Sequence, residues 1–403
     1  MASVYLNKKR KKRLEAGHPW VFKGEIARIE GEPNPGDIVT VHANNGMFLA
    51  KGYFNPRSQI QVRVMTYNPD EVIDRAYFVR RIQEAYDFRK RMLHDTGGCR
   101  LVYGEADFLP GLVVDKFGDT LVVQILSLGM EVRKQEIIDA LLQVVQPKAI
   151  YERSDVGVRE LEGLEQTTGL LHGELDETIV IQENGLKMIV DVVGGQKTGY
   201  FFDQQENRAA IKDYVQTGVD GQPGAAVLEC FSHTGSFTVH AAAFGAKQIT
   251  CLDISEHAID TAIRNVEING MEDDADFEFV VADAFEQLRE WEREGRQWDT
   301  VILDPPAFAK SKHAVAGAVR GYKEINLRGM KLVKERGFLI TASCSYHMHP
   351  DLFLETIQEA AIDAKKILRL VEFRTAGRDH PKIHGMDENN YLKFAVFEVR
   401  SRK

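Results

Sequence analysis

The sequence predicts an α/β protein in which a doubly wound parallel sheet occupies the C-terminal half, preceded by a small β-barrel and a mixed α+β middle domain. Three observations carry this prediction. Beyond Val227, short apolar strands alternate with helical patterns. Between residues 24 and 67, four alternating runs recur at about ten-residue spacing, separated by Gly, Pro and Asn clusters, as in a small barrel. At 403 residues the chain is also too long for one ordinary core. The boundaries expected are 1–70 for the barrel, 71–97 for a linking helix, 98–180 for the middle domain and 181–403 for the doubly wound domain.

The barrel runs are Gly24–Ile29, Asp37–His42, Phe48–Phe54 and Gln61–Tyr67. From Asp70 to about Leu93, Val72, Ala76, Val79, Ile82, Tyr86 and Met92 fall near helical spacing opposite an Arg/Lys-rich face. Strands at Leu112–Asp115 and Thr120–Ser127 flank a hairpin turn, Lys116-Phe117-Gly118-Asp119. An amphipathic helix, Glu131–Val145, and a strand, Ala149–Glu152, complete the middle unit. Asn184-Gly185, between two alternating runs, is the strongest hairpin signal in the chain, because a type I′ turn needs positive φ at both central residues. The doubly wound strands are Val227–Cys230, Gln248–Asp253, Phe277–Ala282, Thr300–Asp304, Phe338–Ser343, Ile367–Phe373 and Tyr391–Val399. Helices are expected between them at Ser236–Phe244, His257–Asn269, Phe285–Glu294, Lys323–Lys334 and His349–Ala364.

Composition narrows the function classes. No stretch approaches the ~18 apolar residues of a membrane span, and the basic N-terminus lacks a signal peptide's apolar segment, so a cytoplasmic protein without membrane contact is expected. Cys99, Cys230, Cys251 and Cys344 form no C-x-x-C pair, which argues against a zinc ribbon and a disulfide framework; no metal is expected. Net charge is −9, yet residues 1–24 carry +6, which leaves −15 for the remainder. Lys8, Lys9, Arg10, Lys11, Lys12 and Arg13 make up most of that cluster, and it reads either as a footprint for RNA phosphates or as a solvated terminus. The sequence leaves the oligomeric state open, a homodimer included.

Ala225 to Phe237 is the stretch around which the second half is organised. An apolar strand ends in Glu229-Cys230, breaks into Phe231-Ser232-His233-Thr234-Gly235, and an alanine-rich helix follows. A strand, tight turn and helix N-terminus place N–H groups and a carboxylate at the carboxyl edge of a sheet, where open α/β folds bind nucleotides. The G-x-G-x-x-G fingerprint is absent, which disfavours NAD. Asp253, Asp283 and Asp304 close the next three strands. One such acid is commonly a helix cap, but four at successive strand ends point to a nucleoside cofactor.

From about Gln182 onwards the chain resembles the class I S-adenosylmethionine-dependent methyltransferases, a Rossmann-like family. The resemblance implies that Glu229, with Phe231 and Gly235, holds the methionine part of S-adenosylmethionine, that Asp253 holds the ribose, and that Asp283 recognises the adenine amino group. S-adenosylhomocysteine would be the product. The first two glycines of the family's turn are replaced here. Asp304-Pro305-Pro306-Ala307-Phe308 resembles the substrate-base motif: the prolines remove N–H donors and hold carbonyls outward, suiting the carboxylate to the edge of a planar base, with Phe308 to stack or to pack. A strand simply stopped by two prolines is the structural alternative. Thr341-Ala342-Ser343-Cys344-Ser345 resembles the motif of RNA cytosine-5 methyltransferases that carries the nucleophilic cysteine. Those enzymes often have a second cysteine after the paired prolines, and here that place holds Ala307.

Over nearly its whole length the chain resembles the PUA-domain large-subunit ribosomal RNA methyltransferases, on His18-Pro19-Trp20-Val21-Phe22, Tyr151-Glu152-Arg153-Ser154-Asp155 and Gly195-Gln196-Lys197-Thr198-Gly199-Tyr200-Phe201-Phe202-Asp203-Gln204. The resemblance implies that the barrel binds RNA and that Lys197, Phe201 and Gln204 lie beside the cofactor. It implies 23S rRNA, or a large-subunit precursor, as partner. The expected reaction is methylation of cytosine C5, with Cys344 attacking C6 and Asp304 at N3. Guanine N7 methylation without covalent catalysis is the rival reaction, and a non-catalytic RNA-binding assembly factor is the rival class.

Overall fold

A computed structural model describes residues 1–309 and 311–402, which divide into two compact units. The first comprises residues 1–182, 190–202 and 378–389; the second comprises the described residues of 183–189, 203–377 and 390–403.

In the first unit, a six-stranded sheet runs in the order Trp20–Phe22, Ile60–Thr66, Phe48–Phe54, Ile38–His42, Ser3–Leu6, Ile26–Glu30. Two of these strands, Ser3–Leu6 and Trp20–Phe22, go beyond the four expected. Their apolar alternation spans only three or four residues and is hidden by the basic cluster between them. Ser3–Leu6 pairs parallel to Ile38–His42 and antiparallel to Ile26–Glu30, and it sends Val4 and Leu6 into the core. Leu14, within the basic segment, is buried in the same core, so that segment is anchored rather than frayed. A five-stranded sheet follows, ordered Thr167–Gly173, Ala149–Ser154, Thr120–Ile125, Leu112–Phe117, Gly98–Tyr103. The helix Arg75–Met92, capped by the Asp74 carboxylate on Tyr77 N, buries Tyr77, Phe78, Ile82 and Ala85 in the core that this sheet shares with the helix Lys134–Val144. Glu162 accepts from Ser58 Oγ at 2.6 Å, Asn55 Nδ2 at 2.9 Å and Arg63 Nη2 at 3.1 Å, so this buried carboxylate is fully partnered.

In the second unit, seven strands run in the order Asp276–Val281, Gln248–Asp253, Ala226–Cys230, Trp298–Leu303, Val333–Ser343, Lys393–Ser401, Lys366–Arg374. The first five are parallel and the last two antiparallel. The order reverses at Ala226–Cys230, and this switch point opens the crevice at the carboxyl ends. Two apolar clusters, one built on Leu228, Leu303 and Leu339 and the other on Val227, Ile302 and Ile340, sandwich the sheet under its helices. Asn184 and Gly185 have φ of 53° and 84°, as the type I′ turn requires. The helix expected from Lys323 begins eight residues earlier, spanning Val315–Leu332, because Gly317 and Gly321 dilute the pattern of its first turns. Among the described residues, no helix is long and apolar enough to cross a membrane, and no cluster of His, Cys, Asp and Glu suits a metal ion.

Candidate active site

The turn after Ala226–Cys230 keeps a glycine-rich backbone although Phe231 and His233 stand in place of its first two glycines. Phe231, His233 and Gly235 have φ of 61°, 50° and 69°. For the two side-chain-bearing residues, the left-handed conformation costs roughly 1–2 kcal/mol each. Asp253 helps to hold it, since its Oδ2 accepts from His233 N at 2.8 Å while Oδ1 accepts from Ser255 N at 2.9 Å. At Gly235 a Cβ would stand 2.6 Å from Ala262 Cβ, so only glycine lets the helix Glu256–Ile268 approach.

The four acids do not stand in one row. Glu229 lies one residue inside its strand and is wholly buried; Asp253 ends its strand; Asp304 follows the end of Trp298–Leu303; and Asp283 stands two residues beyond Asp276–Val281. Asp283 Oδ1 caps the helix Ala284–Glu294, accepting from Phe285 N at 2.9 Å and Glu286 N at 3.2 Å, so one of its oxygens already has a structural role. Glu229 Oε2 accepts from Thr238 N at 2.7 Å and Thr238 Oγ1 at 2.6 Å. Burial nevertheless pushes its carboxyl up to about 8, and the negative charge of Asp304 adds to the push. Glu229 therefore stays neutral in the fold at pH values where it ionises in the unfolded chain. Its stabilising contribution is full below about 4.5 and is lost as pH rises to about 8. Glu229→Gln, a fixed neutral analogue, should remove that decline: in urea unfolding, the variant should gain on wild type between pH 5 and pH 9, on the order of the shift.

Beside the proline pair, two strand ends are tied together. Cys344 Sγ lies 3.9 Å from Pro305 O, Ala309 N donates to Ser345 Oγ at 3.2 Å, and Tyr322 Oη lies 3.1 Å from the same hydroxyl. Cys344 is half-buried, while Cys99, Cys230 and Cys251 are wholly buried and have their thiols pushed up by desolvation. Lys393 is fully buried, and its ammonium donates to Ser345 O and Tyr391 O, both at 2.7 Å, beneath the turn that carries Cys344. Tyr391 Oη in turn donates to Asp203 Oδ2 at 2.6 Å. Phe308 packs on Phe285 and Tyr322 with centroids 5.9 and 4.7 Å apart, and Phe285 meets Phe231 at 6.5 Å.

The expected residues thus divide. Glu229, Phe231, Gly235, Asp253, Asp283, Asp304, Pro305, Phe308 and Cys344 all sit at the carboxyl end of the seven-stranded sheet, in the second unit. Gln204 belongs to that unit too, with Oε1 bonded to Asn207 Nδ2 at 2.6 Å and Nε2 buried without a partner among the described residues. Lys197 and Phe201 belong to the first unit, the Lys197 ammonium 4.4 Å from the Phe201 ring centroid. In the basic segment, Arg10 pairs with Glu15 at 2.6 Å and Arg13 lies over the Phe22 ring, whereas Lys8, Lys9, Lys11 and Lys12 are exposed. Sequence reasoning missed Ile254 and Lys393. Ile254 is 70 % exposed directly after Asp253, and an apolar residue next to a strand-end acid was the available signal. For Lys393 no local signal exists.

These donor and acceptor sets fit an adenosine-containing sulfonium. Each Asp253 oxygen keeps a lone pair for a ribose hydroxyl, and Thr234 Oγ1, in the strained turn, is buried with no partner among the described residues. Ile254 offers an apolar face to a ring.

Comparison with known proteins agrees. The family profile for a PUA-like domain matches residues 4–67, and that for an S-adenosylmethionine-dependent methyltransferase matches residues 153–397. The chain is 43% identical over 394 residues to ribosomal RNA large subunit methyltransferase I of Aliivibrio fischeri, covering 97% of this chain and 98% of the relative. It is 42% identical to the protein of the same name from Pseudoalteromonas translucida, covering 99% of each. Among solved structures, a candidate SAM-dependent methyltransferase from Streptococcus mutans superposes with a TM-score of 0.82 at 23% identity, over 99% of this chain and 100% of that one. A candidate methyltransferase complexed with SAH superposes with a TM-score of 0.83, also at 23% identity and with the same coverage. At that identity the likeness is one of fold.

Proposed function

The chain belongs to the S-adenosylmethionine-dependent methyltransferases, in the ribosomal RNA large subunit methyltransferase I family, and from that membership we propose that it methylates C5 of a cytosine in large-subunit ribosomal RNA. One observation carries the choice of atom. Of the four cysteines, Cys344 alone is not fully buried, and it stands against the proline pair of the base motif. Carbon 5 of cytosine is a weak nucleophile. A Cys344 thiolate adding to C6 would move electron density onto C5, with Asp304, as the acid, giving its proton to N3 while negative charge develops there. When bound, S-adenosylmethionine supplies an electrophilic methyl group. Transfer of the C5 proton to a solvent water acting as base, return of the N3 proton to Asp304 and expulsion of the Cys344 thiolate would then restore the aromatic ring. Lys393 Nζ donates to the carbonyl of Ser345, the residue after Cys344, and so helps to hold the turn that carries the nucleophile. Mass mapping of modified nucleosides on ribosomal RNA from a strain lacking the gene tests the reading: one 5-methylcytosine should disappear from the large subunit.

The cofactor would be held by Asp253, Glu229 and the strained turn, with Ile254 against the adenine and Lys197, Phe201 and Gln204 as the residues that the wider family likeness adds. Substrate RNA would reach the six-stranded sheet through Lys8, Lys9, Lys11 and Lys12, which are exposed on an otherwise acidic chain. Replacing these four lysines by Gln should flatten the dependence of log affinity on log salt by roughly 0.7 for each phosphate no longer neutralised. Filter binding of an rRNA fragment across a salt series measures this; an unchanged slope would remove the segment from the RNA interface.

A further inference from the structure

Next to the base motif lies a cavity of about 560 Å³, lined by Phe285, Phe308, His313, Arg320 and the small residues of the first turns of the helix Val315–Leu332. It is large enough for a nucleotide. Its walls combine two aromatic rings with two basic side chains, and Gly317 and Gly321 leave room on the helix side. The charges around it are distributed unevenly along the helix. In the later turns, Lys323 pairs with Asp363 at 3.0 Å, Arg328 with Glu292 at 2.5 Å and Glu324 at 3.0 Å, and Lys331 with Glu292 at 2.6 Å. Lys312, His313 and Arg320, at the cavity end, are all exposed and have no acidic partner among the described residues. On a chain of net charge −9, basic side chains without acidic partners beside packed aromatic rings are the composition that binds a base and its phosphate.

We propose that this cavity takes a second nucleotide of the substrate RNA, one flanking the methylated base, with its base against Phe285 and Phe308 and its phosphate on Arg320 and His313. The proposal rests on the reading of the protein as an RNA methyltransferase and adds a subsite to it. Phe308 then serves the cavity rather than the reacting base: its ring is backed by Tyr322 and by Gly321, where a Cβ would come within 3.1 Å of it. Sequence context around the target would be read by one splayed base next to the flipped one.

Gly317→Leu is the sharpest probe. At Gly317 an added Cβ meets only Arg320 Nη2, at 3.9 Å, and leucine favours the helix, so the side chain fills the cavity without disturbing the fold. Methylation kinetics of an rRNA fragment should show KM for RNA raised about tenfold, the size of one missing base stack, with kcat retained and S-adenosylhomocysteine affinity by calorimetry unchanged. Arg320→Ala should raise KM in the same way. The same fragment with an abasic site on one side of the target should raise the wild-type KM to a similar degree and make Gly317→Leu silent. Wild-type activity with unchanged KM in both variants overturns the pocket alone, as does a KM effect that persists on every abasic fragment. A wild type that methylates no large-subunit RNA overturns the functional reading, and the pocket with it.

Discussion

Cys344→Ser is expected to fold, to bind S-adenosylhomocysteine as wild type does and to lose methyl transfer by several orders of magnitude. A serine hydroxyl is hardly ionised near neutral pH, so it cannot supply the anion that must add to C6. Two features of the site make the substitution clean. Cys344 is half-buried, and its thiol faces a carbonyl, Pro305 O at 3.9 Å, so a smaller and more polar hydroxyl there brings neither a clash nor an apolar mismatch. The neighbouring ties, Ala309 N to Ser345 Oγ and Lys393 Nζ to Ser345 O, do not involve the sulfur. Near-normal turnover by the serine variant in a radiolabelled methyl-transfer assay would transfer the chemistry to a ring nitrogen such as guanine N7, which needs no covalent intermediate.

Asp253→Ala should weaken cofactor binding by ~1–3 kcal/mol from the ribose hydroxyls alone. The structure adds a second cost. Asp253 also accepts from His233 N, and without that acceptor the left-handed His233 has one restraint fewer. Asp253→Asn should recover little, because an amide offers one acceptor where His233 N and Ser255 N each need one. Calorimetry with S-adenosylhomocysteine decides: unchanged affinity in a folded Asp253→Ala would remove the ribose assignment.

What could be read from the sequence, and what could not, follows from the range of the interactions involved. The parallel strands and their terminal acids are local patterns, so Asp253, Asp304 and the Asn184-Gly185 turn were legible. The backbone of Phe231 and His233 was not, because residues with a Cβ rarely adopt positive φ, and the carboxylate that steadies the turn comes from the next strand. Asp283 illustrates the limit of position alone: its place after a strand suits a ligand and suits a helix cap, and the structure gives one oxygen to the cap. Lys393 lies 48 residues beyond Ser345, to whose carbonyl it donates, and only the antiparallel pairing of the two strands brings it under Cys344. Glycines hid the start of the helix Val315–Leu332, and with it the cavity that this helix lines.

The covalent cytosine mechanism is tested most directly by mass spectrometry of wild type incubated with S-adenosylmethionine and a large-subunit rRNA fragment transcribed with 5-fluorocytidine. Fluorine at C5 cannot leave as a proton does, so the account predicts a stable RNA–protein adduct that maps to the peptide containing Cys344. Absence of any adduct, together with a methylated ring nitrogen on the unmodified fragment, would contradict it.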